Sequence, residues 1–172
     1  MIETHVTAML ARFAAELRFE DLSAETVEHI KIYLADWFAA SFAGEKVNGA
    51  YNCAVREILF DMGGKEEASV MFSDRRLPVM HAAFLHATLA HGADMDDGNR
   101  KAMGHVGAHV MSTALALSET LPGVTGQDLV TAINVGYEVY NRVAAAAQPG
   151  LVRRGFHSTG TAGAIACAAV AA

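Results

Sequence analysis

Apolar residues recur along most of this chain at spacings of three and four, the period of helices that turn one face to a core. An amphipathic segment opens the chain at residues 6–17. A second helix begins after Ser23, whose hydroxyl suits an N-cap, with Glu25 placed where a negative charge meets the positive end of the helix dipole. Val27, Ile30, Leu34 and Trp37 mark its inner face, and Gly44 is the expected stop. A third helix is predicted over residues 50–62, closed by Gly63 and Gly64. Residues 68–72 are too few for a helix and read as extended. Pro78 then opens a helix over residues 79–91, which Asp96, Asp97, Gly98 and Asn99 break. Helices follow at residues 107–121 and 127–147, separated by Pro122-Gly123. Gln148-Pro149-Gly150 reads as a turn, and a loop over residues 153–158 leads into a last alanine-rich helix. The pattern predicts an all-α, multi-helix bundle forming a single domain over residues 1–172, with at most a short extended piece near 68–72.

Composition agrees with a packed domain. Hydrophobic residues make up 52% of the 172 and charged residues 19%, which excludes a disordered chain. The formal net charge of −6 argues against nucleic-acid binding, which needs clustered cations for phosphate. Met1 to His5 form no signal sequence, and residues 155–172 are too weakly apolar to span a bilayer, so a cytoplasmic, soluble protein is expected. Cys53 and Cys167, the only two cysteines, are too few for an iron–sulfur cluster and read as small buried residues. Met80, Met95, Met103 and Met111 read as core filler. His81 and His86 read as core or interface histidines, His5 and His29 as surface residues, and Tyr137 and Tyr140 as packing groups on one helix face. The last apolar helix, residues 163–172, lacks any C-cap, so the chain is expected to be a piece of a longer one.

Two clusters could carry chemistry. In the first, residues 91–105, His91 and Asp94 lie three apart and can share one face of a helical turn. Crowded carboxylates raise one another's proton affinity, and Arg100 and Lys101 lower it, so this stretch suits a proton donor or acceptor. The alternative is a solvated loop between helices. His105 and His109, four apart, have a spacing that suits two ligands of one metal ion, although no HExxH accompanies them. A histidine at a helix N-terminus is biased towards the neutral, proton-accepting form. In the second cluster, residues 153–163, Ser158, Thr159, Gly160 and Thr161 open a helix whose free N–H groups can hold an anion. Arg153 and Arg154 add positive charge suited to carboxylates, and His157 sits at the rim as an acid or base. The alternative is that the glycines serve helix packing and the arginines face water. Neither the P-loop ending nor a Gly-x-Ser-x-Gly elbow is present.

Three stretches together resemble the MmgE/PrpD family, which includes 2-methylcitrate dehydratase, cis-aconitate decarboxylase and iminodisuccinate epimerase. They are His91-Gly-Ala-Asp94-Met-Asp96-Asp97, the segment from Gly104-His105-Val106-Gly107 into a helix, and Gly155-Phe-His157-Ser-Thr159-Gly160-Thr161-Ala-Gly163. Gly136-Tyr137-Glu138, ahead of Arg142, is a weaker match. Val106 stands where the family usually has proline, and Gly98 where it often has threonine. The resemblance implies a large helical domain followed by an α/β lid, a homodimer, and no cofactor or metal. It implies a lyase, dehydratase-like, or an isomerase that abstracts a proton from a small di- or tricarboxylate. Asp94, His105 and His157 match catalytic positions, while Arg100, Lys101, Arg153, Arg154, Ser158, Thr159, Gly160 and Thr161 are the expected substrate-binding groups. A lysine and other catalytic residues of the family would lie after Ala172, so this piece alone is expected to be inactive. Two rivals remain: an inactive helical interaction module, and a metal-dependent hydrolase using His105, His109 and Asp94.

Overall fold

The computed structural model describes residues 5–172, so the reading of the first residues as no signal sequence lies largely outside them. Seven α-helices carry the described chain: α1 (Val6–Glu16), α2 (Ala24–Met62), α3 (Val79–His91), α4 (Gly107–Ser118), α5 (Gly126–Ala147), α6 (Gly150–Arg153) and α7 (Ser158–Ala171). Two antiparallel pairs of two-residue strands interrupt them. β1 (Ala68–Ser69) pairs with β2 (Arg76–Leu77), in register Ala68 to Leu77. β3 (Gly98–Asn99) pairs with β4 (Gly104–His105), in register Gly98 to His105. The all-α class holds.

Local chemistry accounts for the helix starts. Ser23 Oγ accepts from Thr26 N–H at 3.1 Å at the head of α2. Thr125 and Asp128 form a reciprocal capping box at the head of α5, with Asp128 N–H to Thr125 Oγ1 at 3.2 Å and Thr125 N–H to Asp128 Oδ2 at 2.9 Å. The expected stop at Gly44 is not there. The helix continues, and its break falls at Asn48, where φ is −117° and ψ 26°. Gly44 instead lets α3 approach, since a methyl group on it would overlap the Leu89 carbonyl oxygen. Asn52 Nδ2 donates to the Gly44 carbonyl at 3.1 Å, and Asn48 Nδ2 donates to that of Gly92, which bolts the kinked α2 to the end of α3.

Helix α4 lies in the middle of the core. One side joins Trp37, Met111, Ile133, Tyr137 and Tyr140, and the other meets a cluster around Leu77, Leu85 and Leu89. The buried Trp37 indole donates to Ser112 Oγ at 3.1 Å. Met111 is in the core as expected, but Met80, Met95 and Met103 are exposed, at 76%, 67% and 46%. Helical period does not separate an inward methionine from one on an uncovered face or a loop tip. Cys53 is likewise exposed, against its reading as buried, and Cys167 is half-buried, with its thiol pushed up by burial. His86 is buried, accepting from Met71 N–H at 3.2 Å through Nε2, and burial lowers its proton affinity. His29 is exposed and Tyr137 and Tyr140 are buried, as the sequence pattern predicts. No helix among the described residues is long and apolar enough to cross a membrane.

Gly44→Ala is expected to destabilise the fold by about 1–3 kcal/mol through forced separation of α2 from α3. Gly49→Ala, whose added carbon would meet open space, should be neutral or stabilising by up to about 1 kcal/mol. Urea midpoints of the two variants check this contrast.

Candidate active site

The segment between α3 and α4 is a hairpin built from β3 and β4, not a free loop. Asn99 Oδ1 accepts from the backbone N–H groups of Lys101 and Ala102 at 2.9 and 3.0 Å, which folds its tip. Val106 cannot cap α4 with its side chain, and Asp97 does so from across the hairpin: its Oδ1 accepts from Gly107 N–H at 2.8 Å. Burial raises the proton affinity of Asp97, and that backbone donor offsets part of the rise. The Tyr137 phenol stands beside this carboxylate without a regular hydrogen bond.

The start of α7 grips the hairpin from the other side. Ser158 Oγ donates to the Met103 carbonyl, and Thr159 Oγ1 accepts from His105 N–H at 2.9 Å. Gln148 Nε2 donates to the Ala102 carbonyl at 3.1 Å from the end of α5. These bonds bring the two sequence clusters together. Asp94, Asn99, Arg100, Met103, His105 and His157 line one cavity of about 380 Å³.

Imidazoles and carboxylates are crowded at its wall. His91 Nδ1 lies 2.9 Å from Asp96 Oδ1, and His105 Nδ1 lies 2.9 Å from the Asp96 carbonyl oxygen and 3.3 Å from Asp96 Oδ1. His105 Nε2 is 3.4 Å from Asp94 Oδ1. The His91 ring centre is 5.0 Å from that of His105 and 5.9 Å from that of His157. A carbonyl oxygen only accepts, so His105 Nδ1 carries a proton, and in the neutral imidazole Nε2, on the side of Asp94, is the accepting nitrogen. The hydrogen bond to Asp96 raises the proton affinity of His91, against the effect of partial burial. Asp94 adopts a positive φ of 51°, a conformation that aspartate tolerates better than most residues and that collects at functional sites.

The other expected groups are distributed unevenly. Arg100 reaches the cavity, whereas Lys101, Arg153 and Arg154 are exposed and are not among its lining residues. The hydroxyls of Ser158 and Thr159 hold the hairpin, and Thr161 Oγ1 donates to the carbonyl of His157 at 3.1 Å within its own helix. Thr159 and Gly160 line a neighbouring, mostly apolar cavity of about 540 Å³ together with His91 and His109.

His109 is turned away from the acidic groups. Its ring packs 5.1 Å from that of Tyr140, both ring nitrogens lack partners, and burial lowers its pKa to about 4. Among the described residues, the cluster close enough to share a cation is His91, Asp94, Asp96 and His105, whose ligand atoms lie within 4.8 Å of one another, and His109 is not part of it. Spacing alone pairs His91 with Asp94 and gives Asp96 no role. Asp96 is buried and Asp94 exposed in the bends that lead into β3, a difference that spacing along the sequence does not carry.

The profile of the MmgE/PrpD N-terminal domain matches residues 8–172. The chain belongs to the MmgE/PrpD family. Among curated relatives, a cis-aconitate decarboxylase-like protein of Aspergillus oryzae, oryM, is 28% identical over 97% of this chain and 36% of its own length. The cis-aconitate decarboxylase of Aspergillus terreus is 25% identical over 88% of this chain and 32% of its own length. That of Mus musculus is 42% identical over a shorter stretch, 41% of this chain and 15% of its own length. This MmgE/PrpD chain thus spans about a third of the length of the two fungal relatives.

His109 is neutral when folded and binds a proton more readily when unfolded. The unfolded state therefore takes up more protons between pH 6.5 and about 4, and stability falls on acidification through that window. The loss attributable to His109 is up to about 3 kcal/mol. His109→Leu should remove it, seen as a flatter dependence of unfolding free energy on pH than in the unsubstituted protein.

Proposed function

We propose that the full-length protein is a cofactor-independent lyase or isomerase that abstracts a proton from a small di- or tricarboxylate, in the manner of 2-methylcitrate dehydratase or cis-aconitate decarboxylase. The carrying observation is that Asp94, His105, His157 and Arg100 all face one polar cavity. His105 presents a lone pair at Nε2 and so acts as the base, with Asp94 beside it to balance the imidazolium that forms. His157, exposed at the head of α7 and also at the cavity wall, is the second proton-transfer group. Arg100 supplies a cation for a substrate carboxylate. The N-terminal N–H groups of α7 offer fixed dipoles for charge that develops as the proton leaves. The names of the curated relatives favour a tricarboxylate such as cis-aconitate. The homodimer that the family resemblance implies belongs to this proposal, as does a site completed by residues from outside these 172.

A second reading, a metal-dependent hydrolase, draws on the close approach of His91, Asp94, Asp96 and His105. Against it, His109, half of the histidine pair that suggested a metal, is not part of this cluster.

In the full-length enzyme, His157→Ala and His105→Ala should each lower kcat on cis-aconitate or 2-methylcitrate by about 10²–10⁴-fold. Turnover unchanged in either variant removes that histidine from the mechanism. Stoichiometric zinc or iron in the purified, active protein would favour the hydrolase reading instead.

A further inference from the structure

Asp96 has no part in the proton transfer described above, yet it is the most enclosed charged group in the region. Its side chain is 1% exposed, while that of Asp94 is 81% exposed. A buried carboxylate is costly unless hydrogen-bonded, and the bonds that Asp96 makes are to imidazoles: Oδ1 to His91 Nδ1 at 2.9 Å, with His105 Nδ1 at 3.3 Å from the same oxygen. Its backbone carbonyl takes the His105 proton at 2.9 Å, and its Oδ2 is buried without a partner. One residue therefore addresses Nδ1 of both rings, once through the side chain and once through the main chain.

We propose that Asp96 is a positioning residue that fixes His91 and His105 as Nδ1–H tautomers, so that both rings offer Nε2 to ligands and the His105 base stays aimed at the cavity. The inference rests on the acid–base reading of that cavity. A carboxylate behind a histidine does this elsewhere by fixing ring orientation and strengthening the base at the far nitrogen. Here the carboxylate is shared, so His91 acts as a strut. It fills the space between Asp96 and His157, whose ring is 5.9 Å away, and holds Asp96 against His105. Other ionisable groups around His91 are few. Asp94 and His105 come from the hairpin, His157 from the head of α7, and His109 from α4; Asp94 adds to the proton affinity of His91, and the neutral His109 does not oppose it.

The test is Asp96→Asn in the full-length protein, which keeps the volume and removes the charge. Histidine side-chain ¹⁵N spectra recorded against pH should show the His91 titration point falling by about one unit or more. The kcat should drop at least tenfold with KM little changed, because the substrate-facing groups are untouched. Unchanged His91 titration in the variant overturns the proposal, since a carboxylate serving packing alone leaves the imidazole equilibrium alone. Should the variant not fold, the unsubstituted protein decides: Nδ1–H tautomers of His91 and His105 above their titration support it, and an Nε2–H tautomer at either refutes it. These spectra are independent of turnover, so failure of the positioning role and failure of the lyase reading give different results.

Discussion

The hairpin of β3 and β4 is where the structure is most constrained, because three helices must hold it at once. Asp97 ties it to the head of α4, Ser158 and Thr159 tie it to the head of α7, and Gln148 ties it to the end of α5. Each bond satisfies a backbone group that would otherwise be left without a partner beside the core, and each is worth about 1 kcal/mol net. Their joint effect is larger than that figure suggests. Without them, residues 92–106 would be a charged loop free to leave the helix ends, and neither Asp94 nor His105 would share a cavity with His157. The site therefore depends on polar groups serving as struts as much as on those facing the cavity.

This division of labour explains what the sequence discloses and what it hides. Helices α3, α5 and α7 are legible from periodicity and caps, since their signals are local: Pro78 before Val79, the Thr125–Asp128 box, and small residues after His157. Gly44 misleads because a glycine that stops a helix and one that admits a neighbouring helix look the same in one dimension. The two-residue strands at 98–99 and 104–105 are not legible, as a pairing of that length leaves no periodic trace. The convergence of Asp94, His105 and His157 is readable only because family motifs mark all three. Asp96 and Asp97 are visible as an acidic pair, but their different roles follow from the partners each one meets, the imidazoles for Asp96 and the head of α4 for Asp97.

The exposed apolar residues carry a related lesson. Phe84 is 55% exposed, Ile165 50% and Met80 76%, and Phe84 lies in the wall of the apolar cavity beside the site. Exposed apolar surface that is contiguous commonly marks a contact surface, and the fungal relatives are about three times as long as this chain. Met80 and Phe84 lie on α3 and Ile165 on α7, so both helices carry apolar residues on more than one side. The same reasoning explains why hydrophobic period alone overstates burial at Met80: it reports which faces are apolar, not which of them these 172 residues cover.

Two glycines show how tightly the site limits its own sequence. A methyl group at position 104 would collide with the Tyr140 hydroxyl and with Ser158 Oγ, and one at position 107 would collide with the Asp97 carboxylate. Gly104 precedes His105 and Gly107 follows it by two, so the backbone carrying the proposed base is closely packed at both positions, against α5 and α7 at the first and against Asp97 at the second. That closeness lets Thr159 reach His105 N–H, and it lets Asp97 reach the first turn of α4. A larger residue at either position would push the hairpin outward by the width of a methyl group. Proton transfer depends on heavy-atom distances near ~3 Å, so a displacement of that size would impair the chemistry before it unfolded the helices. The Gly-His-Val-Gly string is thus a packing requirement imposed by the site, and its two glycines are as much a part of the proposed acid–base machinery as the histidine between them.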